Sequence, residues 1–80
     1  MPNPSQHRQH PALIALGYAI RNARKRQGIS QEKLALIAEI DRSYIGRVER
    51  GDNNVAVLTL LKIAQALGVT LRDLMKVAKL

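Results

Sequence analysis

Eighty residues allow one domain with one small core. The absence of cysteine excludes a disulfide framework and a zinc-finger ligand set, and the absence of Phe and Trp leaves the core to Leu, Ile, Val and Ala. A formal net charge of +7 favours a polyanionic partner, nucleic acid first. The charge is uneven: Arg8, Arg21, Arg24, Lys25 and Arg26 all precede the first acid, Glu32. No apolar run approaches the roughly 20 residues of a membrane span. The polar, Pro-bearing start does not read as a signal peptide, so a cytoplasmic location is expected.

In chain order, residues 1–10 carry no apolar periodicity and are expected to form a mobile arm ahead of a domain at 11–80. Arg8 on that arm could follow DNA around the duplex. His7 and His10 have no companion ligands nearby, so no metal is expected. The first helix should start near Pro11 and bury Leu13, Leu16, Ile20 and Ala23, with Gly28 ending it after the basic turn Arg24-Lys25-Arg26. A second should run from Gln31 to about Ala38 behind Ser30 as cap, burying Leu34, Ala35 and Ala38. A third should run from Arg42 to Arg50 behind Asp41, burying Ile45 and Val48 and stopping at Gly51. Its outer face would then hold Arg42, Ser43, Gly46, Arg47 and Arg50. A small, basic, hydroxyl-bearing face of this kind suits the major groove of DNA.

Asp52-Asn53-Asn54 reads as a polar loop. A fourth helix follows, with Val57, Leu60, Ala64 and Leu67 as its apolar stripe, Leu61 and Ile63 flanking it, and Gly68 as its stop. Its N-cap is weak or falls to Asn54. Thr70-x-x-Asp73 has the form of a capping box that opens a fifth helix carrying Leu71, Leu74, Met75, Val77, Ala78 and Leu80.

Gln31, Leu34-Ala35, Ala38, Ile45, Val48, Glu49 and Gly51 together match Q-x-x-L-A-x-x-A…I-x-x-[IV]-E-x-G, which resembles the helix-turn-helix of the Cro/repressor (XRE) family. Leu16-Gly17, Ile20-Arg21 and Arg24 resemble that family's first helix, and Leu60–Val69 its fourth, so the likeness covers residues 13 to 75. It implies an all-α, compact five-helix bundle of the lambda-repressor-like type, with the helix-turn-helix at helices 2 and 3. Family members often carry Gly in the turn where this chain has Glu39; positive φ there would cost Glu on the order of 1 kcal/mol. The run Asp41-Arg42-Ser43-Tyr44-Ile45 resembles the controller proteins of restriction-modification systems, which are small autoregulators. A phage-type repressor or an antitoxin with this domain stays open.

The resemblance implies a regulator that binds a palindromic operator in double-stranded DNA as a homodimer. Arg42, Ser43 and Arg47 are then the base-reading candidates, Arg42 by bidentate contact with guanine O6 and N7. Gly46 would let the backbone come close to DNA, or merely weaken the helix. Tyr44 suits a phosphate, a sugar or a thymine methyl, or packs as a half-buried ring. Gln31 is placed on phosphate at a helix start, or in solvent. Arg50, Asn53 and Asn54 lie where family members touch phosphate, although turn chemistry also explains the asparagines. The family pairs the equivalents of Arg24 and Glu49, locking the first helix to the third; Glu49, beside core-facing Val48, needs a partner if buried.

Apolar residues exceed what one small core requires: Leu36, Ile37, Val55, Leu58, Met75 and Leu80 are the surplus. A two-fold dimer contact through Val55, Leu58, Leu74, Met75 and Leu80 would cover most of the later ones. No account beyond ordinary exposure applies to Leu36 and Ile37. No nucleophile with a base partner, glycine-rich phosphate loop or carboxylate cluster points to an enzyme, and no cofactor, small-molecule ligand or membrane contact is expected. The alternative from another class is a protein-interaction module, such as an antitoxin, that turns the apolar surplus on a partner protein.

Overall fold

Capping chemistry sets the helix boundaries in the computed structural model, which describes residues 8–80. Five helices follow one another: α1 (Pro11–Arg26), α2 (Gln31–Ala38), α3 (Arg42–Arg50), α4 (Val57–Leu67) and α5 (Leu71–Ala78). Ser30 Oγ accepts from the Lys33 amide to start α2, and Thr70 and Asp73 close a reciprocal capping box on α5. Glu39, Gly51 and Gly68 end α2, α3 and α4 in the left-handed region. Glu39 at φ 58° does occupy the strained conformation foreseen for the turn.

Two expected caps differ. Asp41 stands at the N-cap of α3 but makes no capping hydrogen bond from its side chain. Ala56, not Asn54, takes the N-cap of α4, with nothing to accept from the first turn. That start of α4 has the backbone bond from the Leu60 amide to the Ala56 carbonyl at 2.9 Å but no side-chain cap.

The core gathers Leu16, Ala19 and Ile20 of α1, Leu34 and Ala35 of α2, Ile45 and Val48 of α3, Leu60, Ile63, Ala64 and Leu67 of α4, and Leu74 and Ala78 of α5. Helix α1 packs on α3 and α5, while α2 packs on α3 and α4. The α4 stripe holds at Leu60, Ala64 and Leu67 and is widened by fully buried Ile63, whereas Val57, expected within it, is 64% exposed. Leu74 is also core, at 2% exposed, and so cannot serve as the dimer contact expected of it.

Two glycines permit the closest approaches. A Cβ on Gly17 would lie 2.4 Å from the Val48 carbonyl oxygen and 2.6 Å from that of Glu49, so α1 runs hard against the end of α3. Gly51, at φ 80°, is stacked on Ile14, whose Cα would lie 2.9 Å from any added Cβ. Both contacts seat the end of α3 on α1.

Of the expected arm, residues 1–7 lie outside the described residues, His7 among them. The remaining three, Arg8 to His10, belong to the folded body. The Gln9 amide donates to Gly51 O at 2.7 Å, and its side chain donates to Arg50 O at 2.9 Å and to the Asp52 carboxylate. Arg8 Nε reaches the same carboxylate at 3.3 Å. His10 caps α1, its Nδ1 accepting from the Ala12 amide at 3.0 Å.

Candidate nucleic-acid interface

Helix α3 is divided by its periodicity into a face that the protein holds and a face that it presents. Ile45 and Val48 are buried in the core, and Glu49 beside them is buried too. An isolated carboxylate there would be expensive, and three donors satisfy it. Arg24 Nε donates to Oε2 at 2.7 Å, Arg24 Nη2 to Oε1 at 3.0 Å, and Gln31 Nε2 to Oε1 at 3.0 Å. Arg24 Nη1 also donates to the Ile29 carbonyl at 2.9 Å, closing the turn after α1. The Glu49 hydrogen bond strengthens the Arg24 guanidinium's hold on its proton against the opposing effect of burial. One bidentate pair thereby joins α1, the loop after it and α3.

On the presented face, Arg42 and Ser43 are exposed at the N-terminal end. The Ser43 hydroxyl donates to the Asp41 carboxylate. That bond, first among several, holds the Asp41 carboxyl below the usual carboxylate range, with the nearby Ser43 and Tyr44 amides and the Arg47 charge adding to it. Arg47 lies one turn on. Its guanidinium sits 5.6 Å from the Tyr44 ring centroid and its Nη1 is 3.5 Å from Ser43 Oγ. With its amide turned to satisfy both neighbours, Asn53 accepts from Arg47 Nε at 3.2 Å and donates to Asp52 O at 3.1 Å. Tyr44 is half-buried and packs on the core.

This is a short helix buried along one side, joined by a tight turn to a helix packed across it, with a basic and hydroxyl-bearing surface outward. A helix-turn-helix family model matches residues 20–74. The chain belongs to the Cro/repressor-type (XRE) helix-turn-helix family. It is a family of DNA-binding transcription regulators. The chain is similar to control protein C.BamHI of Bacillus amyloliquefaciens, with 40% identity over 63 residues, 78% of each chain. The crystal structure of the restriction-modification controller protein C.AhdI from Aeromonas hydrophila superposes with a TM-score of 0.76 at 45% identity, covering 78% of this chain and 94% of that one. The controller protein C.Esp1396I, solved as a tetramer on its natural 35 base-pair operator, gives 0.79 at 28% identity, over 85% and 90% of the two chains.

Against this helix-turn-helix frame, the structure brings Arg42, Ser43, Arg47, Arg50 and Asn53 to one side of α3 and the loop that follows it, with Asn54 exposed beyond. It departs from the sequence reading at two of the residues. Gly46 is not on the open face but buried, a Cβ there falling 3.3 Å from Arg50 Nη1 and 3.7 Å from Gln31 Oε1. Gln31 turns its amide nitrogen inward to Glu49, because a buried carboxylate oxygen is the stronger acceptor.

Sequence reasoning missed Gln9 and Asp52. Asp52, read only as a loop residue, gathers Gln9, Arg50 at 3.1 Å and Arg8, and these hydrogen bonds, led by that of Gln9, hold its carboxyl below the usual range. Nothing in the local pattern of Gln9 marks it, since its partners lie more than forty positions away. Among the described residues, no helix is long and apolar enough to cross a membrane.

Proposed function

We propose that this protein is a controller-type repressor or autoregulator that occupies an inverted-repeat operator as a two-fold dimer, with α3 of each copy in a major groove. One observation carries the reading. Arg42, Ser43 and Arg47 stand on the outer face of a helix whose inner face is fixed by Ile45, Val48 and a buried ion pair. Arg42 at the entering end takes guanine O6 and N7, and Arg47, already steadied by Tyr44 and Asn53, takes a second base. Arg50, Asn53 and Asn54 flank the groove on phosphate. Gln31 contributes there through its backbone amide, its side chain being used on Glu49. The function is binding, without a catalytic step, and belongs in the cytoplasm where the operator is.

The dimer uses the exposed apolar residues at the α4–α5 end, Leu58 at 76% and Leu80 at 60%, with half-buried Val55 and Met75 beside them. The C.Esp1396I tetramer on its natural 35 base-pair operator supports assembly of several copies on DNA. Selection of bound duplexes from a random pool tests the proposal. An inverted repeat with half-sites one turn, about 34 Å, apart is expected. A protein that stays monomeric by sedimentation both free and DNA-bound, and selects no sequence, would leave the interaction-module reading. That reading draws on Leu36 and Ile37, which remain 72% and 47% exposed on α2.

A further inference from the structure

A serine hydroxyl carries one donor and two acceptor lone pairs, so on its own it can face either kind of base edge. Ser43 is not on its own. Asp41 is a carboxylate that can only accept, and the Ser43 proton is given to it. On the other side Arg47 can only donate, and its Nη1 lies 3.5 Å from Ser43 Oγ. Both neighbours therefore fix the same orientation of the hydroxyl. The proton faces Asp41, and what remains toward the groove is a lone pair. Arg47 is in turn held over the Tyr44 ring, so the orientation is set before DNA arrives.

We infer that Asp41 is a positioning residue that makes Ser43 an acceptor-only reader, selecting a base that presents an exocyclic amine, adenine N6 or cytosine N4, on one strand of each half-site. The inference rests on the reading of α3 as the groove helix and specifies what one of its side chains accepts there. Guanine O6 and thymine O4 meet a lone pair and are rejected. Removing Asp41 frees the hydroxyl to rotate, and Ser43 then serves keto-bearing and amine-bearing bases alike. The negative charge itself lowers affinity for every duplex, so total affinity is not the readout; base preference is.

The test measures binding of full-length wild type, Asp41→Ala, Asp41→Asn, Ser43→Ala, Arg42→Ala and the double variant Asp41→Ala/Ser43→Ala to the selected operator and its single-base variants. Asp41→Gly is included because glycine is tolerated at an N-cap better than alanine, which covers a folding defect in the alanine form. Asp41→Ala and Asp41→Gly should cut the preference for A or C over G or T at one position by about fivefold, the equivalent of one hydrogen bond. Asp41→Asn, whose amide oxygen still accepts, should keep it. In the Ser43→Ala background the Asp41 change should move no base preference. An unchanged preference in both Asp41→Ala and Asp41→Gly, with Ser43→Ala still altering it, overturns this inference and leaves α3 in the groove. If Ser43→Ala and Arg42→Ala alter no preference either, the groove reading fails and takes the inference with it.

Discussion

The seam between α1 and α3 and the open end formed by α4 and α5 are built in opposite ways. At the seam, helix axes meet through glycine: Gly17 lies under the Val48 and Glu49 carbonyls, and Gly51 lies on Ile14. A buried Arg24–Glu49 pair and the Gln9 clasp complete it. At the other end Val57, Leu58, Val77 and Leu80 are exposed, between 49% and 76%, and α4 starts without a side-chain cap. Polar, directional contacts fix orientation, whereas apolar area fixes only proximity. The protein spends directional contacts where a recognition helix must be aimed. It leaves apolar surface exposed at the end where we propose that a second copy binds.

If that contrast is right, substitutions at the seam should cost folding stability and those at the open end should cost assembly. Glu49→Ala should have the largest effect, a loss of about 3 kcal/mol, because Arg24 is left buried without its partner. A urea melt within error of wild type would show that the seam does not depend on the pair. Gly17→Ala comes next at about 1–3 kcal/mol, since the added methyl meets backbone carbonyls that cannot turn aside. It should also misplace α3, so operator affinity should fall further than the melting shift alone explains.

The α5 cap gives an intermediate case at the open end. Thr70→Ala should cost about 1 kcal/mol, the usual worth of an N-cap. Its partner Asp73 has its carboxyl held low, first by the Thr70 amide and then by the Thr70 hydroxyl. A carboxyl lowered in the folded state contributes stability above its unfolded pKa and loses it as pH falls through the folded one. Melting temperature should therefore drop below about pH 4, and Asp73→Asn should flatten that acid limb. The smallest stability change belongs to Leu58→Asp, within about 0.5 kcal/mol for the monomer, as for other exposed sites. Sedimentation should nevertheless show the dimer lost. A Leu58→Asp protein that remains dimeric would move the interface elsewhere.

How much of this could be read in the chain depended on the range of the interaction. Helix α2 from Gln31, helix α3 from Arg42 and the stops at Gly51 and Gly68 follow from short-range signals: Ser30 or Asp41 before an apolar period, and a glycine closing α3 and α4. The buried set on α2 and α3 was legible for the same reason, because helical spacing assigns a face without knowledge of the neighbour. On α4 only Val57 was misplaced, because the apolar residues Val57, Leu58, Leu60, Leu61 and Ile63 nearly encircle the helix start. Packing against α1, α2 and α5 makes Ile63 core and leaves Val57 outside.

The candidate site divides along the same line. Arg42, Ser43 and Arg47 were evident as an outer face, but Gly46 was placed there too. Its cover comes from Gln31, fifteen residues earlier on another helix, together with Arg50. Composition and periodicity by themselves determined a basic domain of five helices, since charge, caps and apolar spacing act over a few residues. The motif from Gln31 to Gly51 carried the resemblance that made α2 and α3 a helix-turn-helix. Tertiary structure alone decided which polar groups meet: Gln9 with Gly51 and Asp52, Gln31 with Glu49, Asn53 with Arg47. A hydrogen bond demands atoms within about 3 Å in a narrow range of directions, and no local pattern can specify that before the helices have docked.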